Sequence, residues 1–238
     1  MAFLATLIAV TIVSALLRKP IKAAPWVFYI LAVLADIALI STTNIVLPRG
    51  LRIVMAYLMQ RGGLGVALFV LVMYIGVFPR NGKISHWFRP IRAELSIIAC
   101  ILIAGHMLLF LPSYLPRLFG GAIVKGHVGG AIVVAICLLV LVVVLGITSF
   151  RFVKKHMKAR SWKKLQQFAY LFYVLIFVHL ILMLGPAAIS GNTRTAITAI
   201  VYFIVFAAYV VLRIWRAKED KREKIDLAET VLDQGFVE

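Results

Sequence analysis

In this chain of 238 residues, 63% are hydrophobic and 15% charged, and the mean hydropathy is +1.01. A soluble domain of that length cannot hide so much apolar surface, because much of any folded surface must face water. The formal charge of +17 does not point to nucleic acid, since the basic residues sit in short segments between apolar runs, where they act as topology determinants.

A lipid solvent requires every backbone N–H and C=O to be satisfied internally, which leaves helices or a closed barrel. Barrel strands alternate apolar and polar residues, whereas runs such as Gly129 to Ile147 are continuous, so the fold expected is all-α, a polytopic transmembrane helix bundle. The apolar runs fall at about 2–17, 25–47, 62–79, 93–115, 127–150, 166–189 and 195–214, giving about seven spans. Most approach the roughly 20 residues that cross the hydrocarbon; the first is short. It lacks a basic stretch before its apolar residues and is therefore read as a retained first helix rather than a cleaved leader. Breaker residues punctuate the runs at Pro20, Pro25, Pro48, Pro79, Pro112, Pro116 and Gly185-Pro186. The organisation that follows is N-terminal transmembrane helices over 1–61, a helix bundle over 62–216 and a charged tail over 217–238.

Lysine and arginine divide unevenly between the two sides. The segments 18–22, 80–92, 151–164 and the C-terminal stretch from Arg213 hold 20 of the 26, whereas Arg49, Arg52, Arg61, Arg117, Lys125 and Arg194 make up the other six. By the positive-inside rule the N-terminus is outside and the C-terminus cytoplasmic, and an odd number of spans likewise puts the termini on opposite sides.

Cys100 and Cys137 lie singly inside apolar runs with no CxxC or CxxCH spacing, so neither a disulfide, a metal site nor covalent haem attachment is expected of them. Two of the five histidines lie deep in spans, His106 in the fourth and His179 in the sixth. Each is 14 residues along its helix from the basic side, counted from Arg92 and Leu165, which is about 21 Å at the rise of an α-helix. Two imidazoles at matched depth on helices running the same way are suited to bind one haem iron from opposite sides. The competing reading is that each histidine hydrogen-bonds to a neighbouring helix.

The stretch Thr148-Ser149-Phe150, the run Trp162-Lys163-Lys164-Leu165-Gln166-Gln167-Phe168-Ala169-Tyr170-Leu171 and His179 resemble the ferric reductase-like transmembrane domain family. Within it, the likeness is to the haem-binding membrane subunit of the bacterial methionine sulfoxide reductase system. Arg89-Pro90-Ile91-Arg92-Ala93-Glu94-Leu95, leading to His106, is similar to the arginine-rich start of that family's ligand helix. The resemblance covers roughly 62–189 and implies a b-type cytochrome in a bacterial inner or plasma membrane, with His106 and His179 as axial ligands. It also implies an inner pair of histidines, and here the chain departs from the pattern. Gln166 stands where one is expected and Arg92 or Ala93 where the other is, so the resemblance supports one outer haem and leaves a second to an unusual ligand such as His156 or His86. A seventh, N-terminal span is a further departure.

His127 opens the fifth span among glycines and either marks the interface or contacts a haem propionate, a quinone headgroup or an outer partner. Asp36 is the one acid well inside a span, serving either as a hydrogen-bond partner to a neighbouring helix or in proton delivery to a quinone. No dinucleotide fingerprint is present, so the expected function is an electron-carrying membrane subunit. A quinol, or a partner protein carrying flavin or another cofactor, would supply or accept the electrons. The alternative is a non-redox transporter or membrane anchor.

Overall fold

The computed structural model describes residues 2–42, 45, 47–79, 82–119 and 126–235, with the side chains of 118, 224 and 226–235 left aside. Arg80, Lys125, Lys224 and the tail end 236–238, which enter the charge and domain readings above, lie outside the described residues or side chains. The elements are α1 (Ala2–Leu16), α2 (Arg18–Ala23), α3 (Pro25–Ser41), α4 (Arg49–Met55) and a π-helical turn Ala56–Gln60. They continue with α5 (Gly63–Ile75), α6 (Lys83–Phe88), a 3-10 turn Arg89–Ile91, α7 (Arg92–Phe119) and α8 (Gly126–Ser149). The chain closes with α9 (Arg151–Lys155), α10 (Ala159–Gln166), α11 (Phe168–Ile189) and α12 (Thr193–Gly235). No strand occurs among the described residues, so the all-α expectation holds.

Four helical stretches are long and apolar enough to cross a membrane: Lys83–Arg117, Gly126–Ser149, Ala159–Ile189 and Thr193–Glu223. A fifth arises if Arg49–Gln60 and Gly63–Ile75, which meet at 45°, form one broken span. α1 and α3 are apolar but shorter, at 15 and 17 residues.

α5 is the centre of the bundle. Almost all of its residues are buried, and it packs on α1 and α7. It meets α11 through Phe69 against Phe172, and α12 through the Tyr74 hydroxyl, which donates to the Val205 carbonyl at 2.6 Å. α8 packs on both α7 and α11, α11 on α12, and α3 on α7. Residues of α1 and α3, among them Phe3, Val10, Ala32 and Leu39, belong to the same core cluster as residues of 62–216. The outer faces differ in kind. On α8, Val133, Ile136, Val140, Val143 and Ile147 are all exposed at spacings of three and four, which is one apolar stripe of a helix. Such a stripe is stable facing acyl chains.

The basic segments converge at one end. Arg18 stacks over Trp87, Arg151 pairs with the buried Glu94, and Arg92 and Arg213 line one cavity, which ties 18–22, 83–92, 151 and 213 together. Pro112 and Pro116, expected to end a span, lie inside α7, and Pro186 lies inside α11. Each removes one N–H bond to the carbonyl four residues earlier, and the helices continue through them. α12 does not stop at the apolar limit either. Arg216 pairs with Asp220 and Glu223, and Arg222 with Glu219, so the expected tail begins as a continuation of the same helix.

The junction before α5 is tightly fitted. A Cβ on Gly63 would lie 2.7 Å from the Tyr57 carbonyl oxygen, whereas one on Gly50 meets nothing within 4 Å. Gly63→Ala is expected to destabilise the detergent-solubilised protein by about 1–3 kcal/mol, seen as a lowered Tm, with Gly50→Ala unchanged within error. Equal melting of the two variants would contradict this packing.

Candidate functional site

His106 is placed by a chain of backbone constraints. The π-helical turn ends at Gln60, Gly62 follows with φ +68°, and α5 then starts in a new direction. A residue in the left-handed region is the usual way to end a helix, and the carbonyls of the last turn are left without intrahelical donors. His106, reaching across from α7, satisfies one of them: its Nδ1 lies 2.7 Å from the Gln60 carbonyl oxygen. A carbonyl only accepts, so Nδ1 carries the proton. In the neutral ring Nε2 then holds a free lone pair. Gly62 also abuts the imidazole, since a Cβ there would lie 3.5 Å from His106 Cγ and 3.3 Å from Ile103 Cδ1. Phe110 meets the same ring edge-on at a centroid distance of 5.2 Å.

His179 on α11 repeats the arrangement. Its Nδ1 lies 3.1 Å from the Ala131 carbonyl of α8, which again assigns the proton to Nδ1 and leaves Nε2 free. Both rings are half-buried. α7 and α11 each pack extensively on α8. His106 and His179 thus stand on two helices that share α8 as a neighbour. His127 is half-buried on α8, one turn before Ala131, at the same end of the bundle. Of its neighbouring glycines, Gly130 faces Leu182, while a Cβ on Gly126 or Gly129 would meet nothing within 4 Å.

Arg92 and Gln166 also come together, at the opposite, basic end. With Gly76, Tyr170, Tyr209 and Arg213 they border a cavity of about 100 Å³. The Gln166 side-chain amide donates to the Thr148 hydroxyl at 3.2 Å, and Trp162 Nε1–H donates to the Thr148 carbonyl at 3.0 Å. Asp36 is buried against α7, where Gly105 makes room for it: any Cβ at that position would overlap the carboxyl group. One of its oxygens, Oδ1, has no hydrogen-bond partner. His86 and His156 are exposed, the latter bonded through Nδ1 to the Phe152 carbonyl of its own helix at 2.8 Å. Neither approaches the other histidines to form a cluster, and among the described residues no three His, Cys, Asp or Glu side chains converge as a metal site.

Sequence reasoning did not find Gln60, Gly62 or Ala131, because the first and last act through backbone carbonyls that any residue supplies. The Arg61-Gly62-Gly63 run was the available signal of a break at that point.

No family model matches the chain, and no solved structure matches it. It is similar to a protein of Treponema pallidum (strain Nichols) described as "Uncharacterized protein", at 32% identity over 243 residues. The alignment takes in 100% of this chain and 66% of that relative, so the chain spans just under two thirds of the relative's length.

Gly62 and Gly191 both have positive φ, at 68° and 93°, but a Cβ on Gly191 meets nothing. Both alanine variants carry the backbone strain of about 1–3 kcal/mol, and Gly62→Ala must also displace Ile103 or His106. Differential scanning fluorimetry should therefore show Gly62→Ala melting below Gly191→Ala. The reverse order would contradict the seating of His106 described here.

Proposed function

We propose that this chain is a b-type cytochrome, the membrane subunit of an oxidoreductase, in which His106 and His179 hold one haem. It would carry electrons across the bilayer between a quinol or cytoplasmic reductant and a partner protein with flavin or another cofactor. The observation that carries this reading is the paired commitment of Nδ1. Each imidazole donates an Nδ1–H hydrogen bond to a backbone carbonyl, Gln60 or Ala131, and keeps the Nε2 lone pair free for a metal. Metal-ligating histidines are typically fixed in this way, with the second ring nitrogen bonded to a carbonyl or carboxylate that sets tautomer and ring plane. Two neutral imidazoles are a donor set that suits haem iron, and His106 on α7 and His179 on α11, both helices packed on α8, would hold the group.

Bound there, the haem supplies one-electron chemistry at its iron. The chain's own part is to hold two neutral imidazoles in fixed planes, to bury them among apolar side chains and so to limit water. His127, one turn from Ala131, is placed in this reading to meet a haem propionate or a quinone headgroup at the outer side. Arg92 and Gln166 are inner cofactor positions without an imidazole, so one haem per chain is assigned. Counting α1, α3 and the bent pair ending in α5 as crossings gives seven spans, with the N-terminus outside and the C-terminus in the cytoplasm of a bacterial cell. The 20-to-6 division of lysine and arginine supports that orientation. A transporter is the rival reading and rests on Asp36, whose buried carboxyl sits between α3 and α7 with an unpartnered oxygen.

Protein purified from cells supplied with ample haem is expected to show a reduced-minus-oxidised b-type spectrum. His106→Ala or His179→Ala should abolish the low-spin form. Gln166→Ala should leave it intact, because Gln166 is 13 residues from His179, about 20 Å along a helix. A wild-type preparation with no such band would remove the cytochrome reading. Orientation is tested separately: a cysteine at Gly191 should react with an impermeant thiol reagent added to intact cells, and reaction only after lysis would reverse the assignment.

A further inference from the structure

At the basic end a second, larger cavity of about 500 Å³ is lined by Gly76, Arg89, Arg92, Arg213, Arg216 and Asp220. Four guanidinium groups from two distant parts of the sequence thus face one space with a single carboxylate among them. Arg216 is accounted for, because Asp220 lies 2.8 Å from it and Glu223 3.5 Å. The other three have no carboxylate partner among the described residues. Arg89 reaches only the Phe78 carbonyl, at 3.5 Å, and Arg213 lies over the Tyr170 ring at 5.2 Å. Gly76 clears the wall, since even a Cβ there would come within 3.5 Å of an Arg92 nitrogen. Three like charges around one cavity repel, and an anion in their midst reverses the sign of that interaction.

The depth of the cavity narrows what the anion is. Arg92 begins the apolar part of α7, and Arg213 follows directly on the apolar run of α12, so the cavity lies at the edge of the hydrocarbon. Beside it on α12, Val211, Ile214 and Trp215 are exposed, offering acyl-chain contact and an aromatic interface anchor. Arginine presents a planar fork of donors that matches phosphate oxygens in pairs, and basic pockets between transmembrane helices are suited to lipid headgroups. The outer histidine pair does not account for these arginines. His106 is 14 residues along α7 from Arg92, about 21 Å of helix.

We infer that Arg89, Arg92 and Arg213 form a binding site for a phosphate-bearing anion at the basic face, filled by the headgroup of an anionic phospholipid. The proposal is independent of the cytochrome reading and stands or falls without it.

The test uses the full chain, delipidated in neutral detergent, with binding followed by native mass spectrometry and by thermal shift. Phosphatidylglycerol is expected to bind and raise Tm, and phosphatidylcholine to do neither. The double variant Arg89→Gln/Arg213→Gln should bind phosphatidylglycerol roughly tenfold or more weakly, as expected for loss of charge-assisted phosphate contacts. Lys218→Gln/Lys221→Gln, which removes the same charge outside the cavity, should bind as wild type does. If the double variant fails to fold, Arg213→Gln alone gives the same comparison with a smaller loss. Inorganic phosphate matching the thermal shift of phosphatidylglycerol would support the site and assign its phosphate to solution rather than lipid. Equal binding of phosphatidylcholine, or equal weakening by the two double variants, would overturn the proposal.

Discussion

An imidazole N–H inside a membrane needs an acceptor, and a helix bundle has few to offer because its carbonyls are already engaged. The structure meets that constraint twice, in two ways. For His106 the acceptor is made by ending a helix early: the π-helical turn stops at Gln60, Gly62 turns the chain, and a terminal carbonyl becomes free to accept. For His179 the acceptor is the Ala131 carbonyl within α8, which is reached because α11 packs closely along that helix. π-Helical turns recur at functional sites, and this one supports a specific atom. The broken geometry of 49–75 and the packing of α8 on both histidine-bearing helices acquire a common purpose once Nδ1 is fixed.

The other end of the bundle is governed by charge. Glu94 is buried and held by the exposed Arg151, which locks the start of α7 to the start of α9. Arg18 rests on Trp87, and Arg216 is held by acids of the α12 extension. The first two of these contacts join segments 57 and 69 residues apart in the chain. They also leave more guanidinium groups than carboxylates around the cavity, a surplus that water and phosphate satisfy far better than hydrocarbon. The two ends are therefore chemically distinct: neutral imidazoles among apolar residues at one, unneutralised arginines at the other.

Much of this was legible in the sequence because hydropathy and charge are local properties. Continuous apolar runs implied helices, and the basic segments that the structure draws together are those that counting lysine and arginine had already grouped. The histidines singled out by equal spacing from the basic side, His106 and His179, each turn out to bond through Nδ1 to a backbone carbonyl of another element. What was hidden depends on backbone geometry or long-range packing. Pro112 and Pro116 read as breakers, yet α7 continues through both, each at the loss of one backbone bond. α1 and α3 read as spans, yet are shorter than the four long helices and are held by the shared core. The tail read as separate, yet its ion pairs extend α12. Arg92 appeared as a departure from a histidine pattern. Only its position beside Arg89 and Arg213 reveals the cavity they share.

In the proposed cytochrome, Nε2 of His106 and Nε2 of His179 would bind one iron. Electron paramagnetic resonance of the oxidised, purified wild-type protein tests it most directly, because two axial imidazoles give a low-spin ferric centre and a single one leaves iron high-spin. The account predicts a low-spin signal of bis-imidazole type, integrating to one centre per chain. A high-spin signal alone, or no haem iron in a protein made with ample haem, would contradict it.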